Sequence, residues 1–66
     1  MLRIKFELMQ RGITQRELAK RLGVKPQSVS RMINGDEFPR SNRRTKIADA
    51  IEWKNDPLDL FKEVQV

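Results

Sequence analysis

Cysteine and histidine are absent from this 66-residue chain, and each absence removes a class of chemistry. Without cysteine there is no disulfide framework and no thiolate metal site, and nothing requires an oxidising compartment. Without histidine the chain lacks the commonest general base and the commonest metal ligand. The acidic residues are scattered, no serine has a base beside it, and no glycine-rich phosphate loop occurs. Neither an enzyme nor a metal or other cofactor is therefore expected. Aromatic residues are few, one Trp and three Phe, which leaves no stacking platform of the kind single-stranded RNA uses. No apolar run approaches the roughly 18 residues of a membrane span. Met1-Leu2-Arg3 alternates charge with apolar residues at once and does not read as a secretion signal, so a cytoplasmic protein away from membranes is expected.

A chain this short buries only about 60% of its unfolded surface, so residues 1–66 are expected to form one domain with a simple core, for which oligomerisation is a common support. The net charge is +5, and its distribution is uneven. Residues 1–46 carry 12 Lys/Arg against 4 Asp/Glu, whereas residues 47–66 carry 2 against 5. A basic front and an acidic back suit a domain that turns one face to phosphates; a solvated mixed-charge surface is the plainer alternative.

Glycine and proline divide the chain into helical segments. In Leu2–Arg11, alternation of Leu2, Ile4, Phe6 and Leu8 with charged residues suits a strand, while Ile4/Leu8 and Phe6/Met9 suit a helix. The predominance of good helix formers decides for helix. Thr14-Gln15-Arg16-Glu17 has the form of a capping box, Ile13 and Leu18 stand as a hydrophobic staple, and Gly23 ends a helix over Gln15–Leu22. Pro26 suits the first turn of a third helix, with Val29, Met32 and Ile33 inward and Asn34-Gly35 at its end. A fourth is expected over Asn42–Trp53, burying Ile47, Ala48, Ile51 and Trp53. A fifth opens at Asp56-Pro57 and presents Leu58, Phe61 and Val64. The expected fold is all-α: a compact bundle of five short helices.

The second and third helices carry the functional signal. Two helices crossing steeply across a short turn need a small residue where they touch, a residue tolerant of positive φ in the turn, and an apolar wedge. Ala19 and Gly23 meet the first two needs, and Leu18, Leu22, Val24, Val29 and Met32 supply the third. Over about Ile4–Ile51 the chain resembles the Cro/lambda-repressor-like helix-turn-helix family. The most specific parts are Thr14-Gln15-x-Glu17-Leu18-Ala19, Gly23-Val24 and Gln27-Ser28-Val29-Ser30-x-x-Ile33-Asn34-Gly35.

The resemblance implies that the helix over 26–33 enters the major groove of double-stranded DNA and that Lys25, Gln27, Ser28 and Arg31 contact base edges. Gln27 suits adenine and Arg31 suits guanine. It also implies phosphate contacts from Gln15 and Asn34, while the cluster Arg40, Arg43, Arg44 and Lys46 is a further phosphate candidate. Cations at a helix amino end oppose its dipole, which makes sense opposite an anion. One departure stands out: the family often has Ser or Thr at the cap of this helix, where Lys25 cannot accept the capping hydrogen bonds. The acidic stretch Trp53–Val66 closes the bundle or meets a second subunit, since family members commonly bind as homodimers; Val64-Gln65-Val66 also has the makings of a short edge strand. The implied function is a sequence-specific transcriptional regulator, a repressor, with no small-molecule ligand evident. The alternative is an antitoxin or anti-repressor type of protein-interaction module on the same fold.

Overall fold

Glycines in the left-handed conformation stop the first two helices. The computed structural model describes residues 1–65. Helix α1 spans Arg3–Arg11 and ends at Gly12 (φ 66°); α2 spans Gln15–Leu22 and ends at Gly23 (φ 70°). Either glycine would have to be strained if it carried a side chain. Helix α3 spans Pro26–Ile33, with proline in its first turn as its missing N–H permits. The capping box at α2 is half made: Thr14 Oγ1 accepts the Glu17 N–H at 3.0 Å, but the Glu17 carboxylate turns to Arg21.

The end of α4 departs from the expected Asn42–Trp53, because the helix spans Ser41–Ala50. No glycine marks this stop. Glu52 itself takes φ 60°, which lets the Trp53 N–H return to the Ala48 carbonyl at 2.8 Å and the Glu52 N–H to that of Asp49 at 3.2 Å. The expected fifth α-helix is instead a 3-10 helix over Pro57–Phe61, so among the described residues there are four α-helices rather than five. Asp56 caps it, its Oδ1 accepting the Leu58 N–H at 3.0 Å. A three-residue turn changes which side chains point inward. Leu60 is completely buried, Leu58 is exposed, and Phe61 and Val64 are half-buried.

The core joins Ile4 and Leu8 of α1, Leu18 and Ala19 of α2, Val29, Met32 and Ile33 of α3, Ile47, Ala48 and Ile51 around α4, and Leu60. Of the two expected helical pairs in α1, Ile4/Leu8 is inward, while Met9 is exposed. Helix α2 packs on α3 and α4, and the 3-10 helix packs on α4 and α1. The tail folds back onto the start of the chain. Leu2 and Glu63 form an isolated antiparallel bridge, with the Arg3 N–H on the Lys62 carbonyl and the Val64 N–H on that of Met1, both at 2.9 Å. Of the segment 64–66 considered as an edge strand, Val64 thus pairs within the chain, and Val66 lies outside the described residues. Among the described residues no helix is long and apolar enough to cross a membrane.

One carboxylate is buried in this frame. Glu7 lies between Arg3 and Arg11, one turn away on either side, and pairs with both; the Arg3 contact is 3.0 Å. Both guanidiniums also lie over the Trp53 ring, at 5.4 and 6.0 Å from its centroid. Burial pushes the Glu7 carboxyl up, but the hydrogen bonds and charges of Arg11 and Arg3 outweigh it and hold it below its ordinary value. A carboxyl lowered by folding stabilises the native state above its unfolded pKa, and that stability is lost as pH falls through the folded value. Stability is therefore expected to decline from about pH 4.5 downward, and Glu7→Gln to remove part of that decline. Thermal melts at pH 7 and pH 3 check this. Equal losses in wild type and variant would mean that Glu7 does not carry the acid sensitivity.

Candidate nucleic-acid interface

Helix α3 is held from behind by Val29, Met32 and Ile33, which leaves Gln27 and Arg31 exposed on its outer face. They are four residues apart and so neighbours on one side of the helix. With Ser28 and Ser30 they line a shallow depression. Ser28 is half-buried and also reaches a second depression of about 460 Å³, whose far wall is Arg40, Asn42, Arg43 and Lys46 at the start of α4. The outer face of α3 and the basic start of α4 therefore adjoin through Ser28.

The remaining sequence candidates occupy separate places. Lys25 is exposed at the cap position of α3 and makes no capping hydrogen bond, as its chemistry dictates. Gln15 is exposed in the first turn of α2. Asn34 is exposed after α3, its amide donating to Ser30 Oγ at 3.3 Å. Arg44 differs from its neighbours in the cluster. Its Nη1 donates to the Pro39 carbonyl at 2.7 Å and its guanidinium lies 4.9 Å from the Phe38 ring centroid, so it ties the α3–α4 loop to α4.

The charges are divided in the same way. Among the described residues, every ion pair lies in α1, in α2, or in the contacts of the tail. Lys25, Arg31, Arg40, Arg43 and Lys46 stand near α3 and the start of α4 without a carboxylate of the described residues within 4 Å. Arg40 caps α4 without a side-chain hydrogen bond, and the first turn of α4 contains no acidic residue. Five cations thus gather on this side of the molecule, against the two carboxylates of Asp36 and Glu37 in the loop between α3 and α4.

Two further residues take part beyond those expected from the sequence. Ser30 orients Asn34, which their four-residue spacing would have suggested. Glu37 lines the same depression as Arg40, Arg43 and Lys46, and nothing in the local sequence aims it there.

The family profile described as "Helix-turn-helix" matches residues 4–52. The chain belongs to the Cro/lambda-repressor-like helix-turn-helix family. Its motif is α2, the turn at Gly23-Val24, and α3. Similar proteins include the HTH-type transcriptional regulators for conjugative element R391 of Providencia rettgeri and for conjugative element SXT of Vibrio cholerae, each 41% identical over 49 residues. The same identity and span hold for the regulator for conjugative element pMERPH of Shewanella putrefaciens. The alignments take in 74% of this chain but 22% of each relative, so the chain spans about a fifth of the length of these regulators. No solved structure matches the chain significantly.

Proposed function

We propose that this chain binds double-stranded DNA as a sequence-specific transcriptional regulator, a repressor, acting as a single domain by binding rather than catalysis. The observation that carries the reading is the outer face of α3, with Gln27 and Arg31 exposed beside a start of α4 whose Arg40, Arg43 and Lys46 have no carboxylate partner among the described residues. In this reading α3 lies in the major groove, and Gln27, Arg31, Ser28 and Lys25 meet base edges. Gln15, Asn34, Arg40, Arg43 and Lys46 meet phosphates. Arg44 serves the phosphate contacts by bracing the loop through Pro39 and Phe38. The names of the similar regulators agree with this function.

A homodimer on DNA belongs to the same reading. Phe38 is 62% exposed and meets Phe61 edge-on at 5.9 Å, with exposed Leu58 three residues from Phe61. Such a patch suits a second subunit. It equally supports the alternative, an antitoxin or anti-repressor type of module that holds a partner protein.

Selection of bound sequences from random duplexes tests the main reading, and an enriched two-fold motif is the expected result. On the enriched site, Arg43→Gln is expected to weaken binding to specific and random DNA alike and to lower the slope of log K against log salt by ~0.9. Arg44→Gln is expected to change the slope less. No enrichment, with a protein partner retained on the same face, would put the interaction module first.

A further inference from the structure

The carboxy end of α4 is completed by side chains from two other helices. The carbonyls that a helix leaves without partners at this end must be met by something. Here that of Ile47 accepts the Ile51 N–H at 3.2 Å, that of Ala48 the Trp53 N–H, and that of Asp49 the Glu52 N–H. The next two accept from arginines. Arg21 Nη1 of α2 donates to the Ala50 carbonyl at 2.8 Å, and Arg11 Nε at the end of α1 donates to the Ile51 carbonyl at 2.8 Å. Each arginine is held by a glutamate one turn earlier on its own helix, Glu17 for Arg21 and Glu7 for Arg11. The same order of residues, Glu-Leu-x-x-Arg, occurs at 7–11 and at 17–21, and in both the leucine is buried in the core.

The need for outside cations is specific to α4. The last turns of α1, α2 and α3 each carry a basic residue of their own, whereas that of α4 has none and contains Asp49. A carboxylate near a helix carboxy end is unfavourable, and cations there are favourable. Arg11 and Arg21 thus supply both the missing charge and the missing donors.

We propose that Arg11 and Arg21 are positioning residues for nucleic-acid binding: they grip the carboxy end of α4 and so fix where its amino end, with Arg40, Arg43 and Lys46, stands beside α3. A ten-residue helix is a rod of about 15 Å, so release at one end moves the other. Two of the chain's basic residues therefore serve binding without touching DNA. The proposal rests on the DNA-binding reading for its effect on affinity, but the grip itself is independent of it.

The test uses the full chain with Arg21→Gln, Arg11→Gln and both together, at a temperature where each is folded, on the selected duplex. Binding is expected to weaken roughly three- to tenfold, the order of one displaced hydrogen bond, with an unchanged slope against log salt. Amide exchange is expected to quicken in the last turn of α4 while α3 and its packing against α2 keep their protection. A slope lowered by ~0.9 per arginine would overturn the proposal, because these residues would then be phosphate contacts. Unchanged exchange at Ala50–Trp53 would overturn it as well, as would faster exchange spread evenly over the molecule, the mark of simple destabilisation. Arg21→Gln alone keeps the test open if the double variant does not fold, since Arg21 is the more exposed of the two. If the wild type binds no duplex, the DNA reading fails, and the exchange measurement still decides the grip.

Discussion

Replacing Leu60 by alanine is expected to cost ~2–5 kcal/mol, the range for deleting a fully buried leucine side chain. A core this small supplies only about 3–5 kcal/mol in total, so the variant is expected to be substantially unfolded at room temperature. Leu60 is the one fully buried side chain of the 3-10 helix, and that helix packs on both α1 and α4. Its loss opens a cavity where three elements meet. Leu58→Ala, two residues away on the exposed side, is expected to stay within about 0.5 kcal/mol of wild type. Urea titration of the two variants makes the comparison. The opposite ranking would mean that the segment after Pro57 turns as an α-helix with Leu58 inward, against the 3-10 geometry.

Arg31→Ala is expected to lose ~1–3 kcal/mol at the selected DNA site while leaving affinity for random DNA nearly unchanged, as a base-edge contact requires. Arg31 is exposed at the end of α3 and has no carboxylate partner among the described residues, so no internal role competes with this one. Gln27→Ala is expected to have a comparable effect but to relax selectivity at a different base pair, because the two side chains lie one helical turn apart. Competition binding on the selected site and its single-base variants separates the two. A loss that is equal on every sequence would make Arg31 a phosphate contact. No loss from either variant would remove α3 from the major groove.

The helix-turn-helix was legible because its requirements are local. Thr14, Gly23 and Pro26 are starts and stops whose meaning depends only on backbone chemistry, and Ala19 at the crossing admits few alternatives. The carboxy-terminal third was less legible for the opposite reason. Helix α4 stops at a positive φ taken by Glu52, a residue that seldom signals a stop and whose left-handed turn rests on tertiary support. The segment after Pro57 has apolar residues at 58, 60 and 61, which suit an α or a 3-10 turn equally until a partner surface selects between them. In the candidate site the exposed residues of α3 were readable from the amphipathic pattern. The role of Arg44 was not, since its partners Pro39 and Phe38 meet it only through the loop geometry. Glu7 carried a readable cue in the basic residues four positions before and after it, but the Trp53 ring under both of those arginines comes from far along the chain.

The pairing of Leu2 with Glu63 has a kinetic consequence. Its hydrogen bonds include one between residues 63 positions apart. Closing a loop of that length costs about 3–4 kcal/mol of chain entropy before any contact repays it. Helices α2 and α3, by contrast, meet across a turn of three residues, Gly23 to Lys25. Assembly is therefore expected to start at α2 and α3 and to finish with the pairing of Leu2 and Glu63. Interactions made after the rate-limiting step act on the rate of escape from the native state, not on the rate of reaching it. The clasp is in that sense expected to act as a brake on unfolding, applied after the helix-turn-helix has formed.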